Sequence, residues 1–146
     1  MGYPITPIYG IGRPEYSSAP ILPISSPSAA GKTKIYWNGI ADVDPNSYVI
    51  IRPIDPTGHP FPTDNKKFVL MKIVASIEAD TLIGIDLVHK YSGGYYIFAS
   101  ERGYQRIEIS PEFYRIPPGD EFWIVCYNYD PTNARTFYIY FIGEEE

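Results

Sequence analysis

The residues able to carry chemistry in this chain are few and badly spaced for it. "AAGKT" at Ala29 to Thr33 has the closing residues of a phosphate-binding loop, in which glycine amides cradle phosphates and a lysine reaches them. That loop needs a glycine five residues before Gly31, where Ser26 stands, and a helix after it, where the strand-like "KIYW" follows. "GIG" at Gly10 to Gly12 fails as a dinucleotide loop, because no strand precedes it and Pro14 lies within it; it reads as a joint. "DVDPN" at Asp42 to Asn46 begins like a calcium loop, but Ser47 replaces the sharp-turn glycine and Pro53 the bidentate glutamate. His59 and His89 are the only histidines and Cys126 the only cysteine, so neither a histidine-rich zinc site nor an intrachain disulfide can be assembled. No Gly-x-Ser-x-Gly elbow occurs, and Cys126 between Val125 and Tyr127 reads as a buried, inert thiol. Nothing in the spacing marks Asp80, Asp86, Glu101 or Glu108 as more than solvated or turn residues. The reading is a protein that is not an enzyme and takes no cofactor and no metal.

The elements that would position any site are strands. After Gly31 the chain is a succession of runs rich in Val, Ile, Tyr and Phe separated by Pro, Gly, Asp and Asn. Eight strands are expected, over 34–38, 48–52, 68–77, 82–88, 95–99, 104–109, 121–128 and 136–142. Ile83, Ile85 and Leu87 alternate with Gly84 and Asp86, and Ile107 and Ile109 with Arg106 and Glu108, which predicts one wet face for each of those strands. "EFWIVCYN" and "TFYIYFI" are apolar on both faces, so each must be covered twice: by a second sheet, by another part of the chain or by a neighbouring subunit. Turns are expected at Ser92 to Gly94, at Pro117 to Asp120 (type II, with Gly119 third) and at Asp130 to Asn133 (type I). The fold class is all-β: an antiparallel β-sandwich or jelly roll of about eight strands over residues 34–143.

Two segments flank that domain. Residues 1–33 carry Pro4, Pro7, Pro14, Pro20, Pro23 and Pro27, which exclude a helix or a central strand, so the segment is expected to be an extended arm. Unlike an ordinary polar tail, it carries Tyr3, Ile5, Ile8, Tyr9, Ile11, Tyr16, Ile21, Leu22 and Ile24, and those side chains are expected to be buried on a partner or on the body of the chain. Glu144 to Glu146 read as a solvated, frayed acidic tail. The loop from Arg52 to Lys67, stiffened by Pro53, Pro56, Pro60 and Pro62 and carrying Phe61, reads either as a contact surface or as an ordered crossover between sheets.

With 146 residues, 45% of them hydrophobic, one core of ordinary size is expected. A net charge of -5 with scattered basic residues lacks the footprint of a nucleic-acid binder. No apolar run is long enough for a membrane helix, and the N-terminus lacks the pattern of a signal peptide. The lone Gln105, the paucity of methionine and the proline-punctuated loops lean toward a thermophilic source. Fourteen tyrosines remain, and Tyr91, Tyr95, Tyr96 and Tyr104 crowd one expected hairpin, where they would serve as packing, as a protein interface or as a sugar-stacking platform.

The last quarter, "IPPGDEFWIVCYNYDPTNARTFYIYFIGEEE", resembles the closing hairpin of β-sandwich domains in structural proteins of tailed bacteriophages. Joined to the proline-rich arm, it resembles the capsid decoration, or cement, proteins of thermophilic siphoviruses. That resemblance implies a structural virion protein made in the host cytoplasm and bound to the outer capsid surface. Its implied partners are the major capsid protein and itself, as a homotrimer whose arms reach over neighbours, and it brings no catalytic residues. The alternative is a receptor- or carbohydrate-binding module of a phage tail.

Overall fold

The computed structural model describes residues 32–63 and 65–146. The arm positions Tyr3, Ile5, Ile8, Tyr9, Ile11, Tyr16, Ile21, Leu22 and Ile24 lie outside the described residues. Among the described residues there is no helix; nine strands run β1 (Thr33–Val43), β2 (Ser47–Ile51), β3 (Phe68–Ser76), β4 (Leu82–Tyr91), β5 (Gly94–Tyr104), β6 (Arg106–Ile109), β7 (Tyr114–Ile116), β8 (Glu121–Asn128) and β9 (Arg135–Glu145).

The strands form two antiparallel sheets. Sheet A has the order β1-β9-β3-β6, with β7 also pairing β3, and sheet B has the order β2-β8-β4-β5. Apart from the β4–β5 hairpin and the broken β6–β7 strand, each successive strand changes sheet, and β8 and β9 return to lie inside their sheets beside β2 and β1. This is the strand order of a jelly roll, as the alternation of the sequence predicts. The ninth strand arises because the strand after β5 is broken: Glu112 and Phe113 both take positive φ (55° and 59°), which re-aims the chain so that β6 pairs with Ile73–Ser76 and β7 with Phe68–Leu70. Left-handed backbone is unfavourable for a bulky residue such as phenylalanine.

The core lies between the sheets. Ile35, Trp37, Ala41 and Val43 of β1, Phe137, Ile139 and Phe141 of β9 and Phe68, Leu70, Ile73 and Ala75 of β3 meet Ile51, Ile83, Ile85, Leu87, Phe122, Ile124 and Cys126 of sheet B. A one-residue bulge at Met71 explains how β3 contributes at both 68/70 and 73/75: the register against β9 shifts between Leu70 and Lys72, and the inward face shifts with it. Aromatic rings dominate one end, where Phe61, Phe68, Phe122 and Phe141 form stacked, tilted and edge-on pairs at 5.3–5.9 Å.

Several expectations are corrected by the fold. Phe61, expected at a contact surface, is 3% exposed and plugs the core. The 52–67 segment is thus an ordered crossover from sheet B to sheet A, pinned by Trp37 Nε1 donating to the Ile54 carbonyl (3.2 Å) and by Phe122 N–H donating to the Phe61 carbonyl (3.2 Å). Nor are the terminal glutamates frayed. Glu144 and Glu145 pair with both β1 and β3, the Glu145 carboxylate accepts from the Thr63 amide (2.8 Å) and hydroxyl (2.9 Å), and Glu146 exchanges two backbone hydrogen bonds with Lys67. A buried carboxylate is tolerated because its lone pairs are filled. Charge alone suggested solvent there; register decides otherwise.

The turns follow their chemistry. Asp120 N–H donates to the Pro117 carbonyl (3.2 Å) with Gly119 at φ 93°, the conformation required at the third position of a type II turn. Between β8 and β9, Asp130 Oδ1 accepts from the amides of Thr132 (2.9 Å) and Asn133 (3.0 Å), while Oδ2 takes Arg135 (2.7 Å). The Thr132 amide foremost, with Arg135 after it, holds the Asp130 carboxyl well below the usual carboxylate range.

A folded-state value below the unfolded one means that this stabilisation is present above the unfolded carboxylate range, about pH 3.9, and fades as pH falls below it. Asp130→Asn should therefore melt well below the parent at pH 7, with the gap closing toward pH 2. A gap that stays constant from pH 7 to pH 2 would show that the charge of Asp130 does not hold this turn.

Candidate interaction surfaces

Three places combine reactive or adhesive side chains. The first is at the turn end of the β4–β5 hairpin. There β4 carries His89, β5 places Tyr96 directly across from it, β7 supplies Tyr114 and the type II turn supplies Asp120. His89 is buried, with Nε2 at 2.7 Å from Asp120 Oδ2 and Nδ1 at 2.9 Å from the Tyr114 hydroxyl and 3.2 Å from that of Tyr96; the two hydroxyls are 2.5 Å apart. An ionised carboxylate only accepts, so Nε2 carries a proton and donates it to Asp120. In the neutral ring Nδ1 accepts from one tyrosine while the other tyrosine donates to the first. Burial, then the hydrogen bond with Tyr96, pushes the Tyr114 hydroxyl well above its ordinary value, so it stays protonated. Tyr114 also stacks on Phe98 at 3.8 Å.

Hydroxyl, imidazole and carboxylate in series resemble the orienting half of an acid–base site. No serine or cysteine side chain takes part in these hydrogen bonds, and Cys126, fully buried with its thiol pushed up by burial and then by Asp86, is no candidate nucleophile. Among the described residues, every buried side-chain polar atom has a hydrogen-bond partner. The cluster joins four elements at one end of the sandwich.

The sequence expectation of one four-tyrosine cluster is only half realised. Tyr91 and Tyr96 do gather, with ring centroids 6.0 Å apart, around His89. Tyr95 is adjacent to Tyr96 in an extended strand and so points to the opposite face. Tyr104 pairs with Leu82 at the far end of the hairpin and is 64% exposed. Phe61, as described, is in the core. The partners the sequence reading missed, His89, Tyr114 and Asp120, converge only through the register of β7 and the preceding turn.

The second place is the outer face of sheet B, the side turned away from sheet A. Ile50 lies across from Val125, Val88 across from Trp123, and Tyr48 across from Tyr127. These form a cluster separate from the main core. Asp86, expected on a wet face, is buried here beside Val125 and accepts from Ser100 (2.5 Å) and Arg102 (3.1 Å). Gly84 makes room for that arginine: a Cβ at this position would meet the Arg102 side chain at 2.7–2.9 Å. The guanidinium also lies 4.8 Å from the Tyr127 ring and 5.8 Å from Tyr129, which are stacked on each other. Arg52 closes the other end with a bidentate pair to Glu121 (2.8 and 2.9 Å), and Glu121 also accepts from Trp123 Nε1 (2.8 Å).

The third place is the outer face of sheet A. Across β1 and β9, Tyr36 faces Ile142, Asn38 faces Tyr140 and Ile40 faces Tyr138. Tyr36, Ile40, Tyr138 and Tyr140 are 37–45% exposed, and Val74 joins the last three in lining a shallow depression. Salt bridges of Lys34 with Glu144 and of Lys72 with Glu108 border the strip.

No family model matches the chain, and no curated protein matches it. Among solved structures it is similar to PirA (12% identity, covering 72% of this chain and 92% of that one, TM-score 0.44). It is similar also to the Yersinia pseudotuberculosis-derived mitogen YPM (9% identity, 73% and 83% covered, TM-score 0.45) and to the decameric BFDV capsid protein (5% identity, 79% and 98% covered, TM-score 0.39). At these identities and scores no activity is carried from them to this chain.

If the His89 network is a structural joint, His89→Ala and Tyr114→Phe should each destabilise the fold by about 1–3 kcal/mol in urea unfolding, and the double variant by less than their sum. Strict additivity would show that the two side chains do not share one network.

Proposed function

We propose that this chain is a non-catalytic structural protein of a virus particle, bound on the outer surface of the shell through contacts with the major capsid protein and assembled as a homotrimer. The observation that carries the reading is the outer face of sheet A, an apolar and aromatic strip left facing solvent on two long paired strands. Tyrosine and isoleucine side by side on a rigid sheet bury area at low entropic cost and suit contact with another protein.

The reading is supported from a second direction by the segment before β1. Its prolines and isoleucines suit an arm that reaches over a neighbour with little ordering cost. Residues 3–31 at about 3.1 Å each in polyproline form would span on the order of 90 Å. Many copies on a shell would multiply modest contacts into avidity. The resemblance of the last quarter to the closing hairpin of β-sandwich domains in structural proteins of tailed bacteriophages agrees with this role. A tail module that binds receptor carbohydrate is the second reading, favoured by the exposed Tyr91 and Tyr96 around His89, where a sugar ring would stack.

Cosedimentation separates the two. The purified protein should bind empty shells of the cognate capsid protein saturably, and Ile40→Lys with Tyr138→Lys should reduce binding at least tenfold while the melt is retained. Binding to a glycan array that is lost in Tyr91→Ala with Tyr96→Ala, with no binding to shells, would replace the structural reading by the tail one.

A further inference from the structure

The edges of the two sheets are not equally protected. Sheet A ends in β1 on one side and in β6 and β7 on the other, and sheet B ends in β2 and β5. Strands β2, β6 and β7 are only five, four and three residues long. Strand β5 is kinked where its register against β4 shifts between Leu87 and Val88, leaving Phe98 as the extra residue. Shortness and bulges are the devices that keep a sheet edge from pairing with another chain. Strand β1 has neither. It pairs with β9 in unbroken register over all eleven residues from Thr33 to Val43, and it carries no proline and no charge between Lys34 and Asp42. Among the described residues, no backbone hydrogen bond reaches its outer edge.

The residues of β1 specify what fits that edge. Its outward side chains are Lys34, Tyr36, Asn38, Ile40 and Asp42, in order a cation, an apolar group, an amide, an apolar group and an anion. Run in the opposite direction, this series is its own complement. Two β1 strands laid antiparallel about a two-fold axis at Asn38 set Lys34 of each copy across from Asp42 of the other, Tyr36 across from Ile40, and the two Asn38 amides across from each other. Opposite charges and aromatic–aliphatic pairs directly opposed are the pairings that stabilise antiparallel neighbours, and each amide both donates and accepts. On the inward side the same register sets Trp37 across from Gly39 and Ile35 across from Ala41, large against small. A slip of two residues either way puts Asp42 opposite Tyr36 or Lys34 opposite Ile40. Tyr36 and Ile40 are 37% and 45% exposed. Lys34 bridges to Glu144 (3.7 Å) and Asp42 accepts from Thr136 Oγ1 (2.7 Å), both on β9, and an ammonium with three donors and a carboxylate with two oxygens keep capacity for a second neighbour.

We propose that β1 is a homotypic docking edge: two copies of this chain join β1 to β1, antiparallel and centred on Asn38, so that their A sheets run on into each other across a two-fold axis. The proposal does not depend on the virion reading. Such a contact is isologous, so it links molecules in pairs and closes there. It uses the edge of sheet A and leaves the outer face to a different neighbour; in a three-fold assembly it would join one trimer to the next. The two ion pairs would be solvent-exposed and contribute little affinity, serving mainly to fix the register. Eleven residues a side, against roughly 20–30 in a standard interface, make this a contact that forms between crowded copies and opens on dilution.

Disulfide trapping in the full-length protein at high concentration reads both the contact and its register. Asn38 is exposed, so Asn38→Cys should fold as the parent does. Directly opposed residues of an antiparallel pair have Cα atoms about 4.5–5.5 Å apart, within the span of a disulfide, so oxidation with copper phenanthroline should convert this variant to a covalent dimer. The parent, whose Cys126 is buried, should give none. Tyr36→Cys alone should link several-fold more slowly, because its two thiols would lie four rungs apart, about 14 Å at 3.4 Å per residue; a mixture of Tyr36→Cys and Ile40→Cys proteins should link one to the other. Adding Lys34→Asp to Asn38→Cys should slow trapping several-fold by setting aspartate against Asp42, and adding Asp42→Lys as well should restore it. Absence of a dimer from Asn38→Cys would overturn the proposal, since the edge would then belong to another segment or another protein. Equal trapping of Asn38→Cys and Tyr36→Cys, or a charge swap that fails to restore the rate, would overturn it as well.

Discussion

Strand β8 must be kept from water on both sides, and most of the architecture follows from that. Phe122, Ile124 and Cys126 point into the sandwich while Trp123 and Val125 point out of it, and all five are buried. A strand of this composition cannot sit at an edge, and β8 lies between β2 and β4. Its counterpart β9, with Phe137, Ile139 and Phe141 inward and Tyr138 and Tyr140 outward, lies between β1 and β3. In a jelly roll the last two strands return to the interior of the two sheets, so the strands with most apolar surface occupy the positions with most neighbours. The hydrophobic transfer energy of about 25 cal/mol per Å² makes this the favoured arrangement over one that leaves either strand at a rim.

The buried polar groups are organised around that apolar frame. His89, Asp86, Asn128, Asp130 and Glu145 are buried and close four joints: hairpin to turn (His89), sheet floor to Arg102 (Asp86), β1–β2 turn to β8–β9 turn (Asn128 with Asp130) and crossover to terminus (Glu145). A buried polar group with all partners present gives specificity to one arrangement of the strands. Among the described residues, each buried side-chain polar atom has at least one hydrogen-bond partner.

How much of this was legible depended on the range of the interaction. Strand positions came from local alternation, the Pro117 to Asp120 turn from the single φ demand at Gly119, and the inert thiol from the apolar neighbours of Cys126. Phe61, Asp86 and the terminal glutamates were misjudged because their environments are set by partners far away in sequence: Phe61 by β3 and β9, Asp86 by Arg102 and Ser100 across the hairpin, Glu145 by Thr63. The His89 network was invisible for the same reason, since Tyr114 becomes its neighbour only through the break after β6. The extra width of the tyrosine hairpin misled too, because crowding along the chain placed Tyr104 nine rungs from the turn.

Both sheets carry apolar side chains on their outward faces, and in the proposed reading the outer face of sheet A is the one that takes a further subunit. Static light scattering of the free protein across a wide dilution range tests this most directly. The account predicts a mass about three times the 16.5 kDa of one chain, with Ile40→Lys and Tyr138→Lys shifting it toward the monomer. A mass of one chain at every concentration for the parent would contradict it.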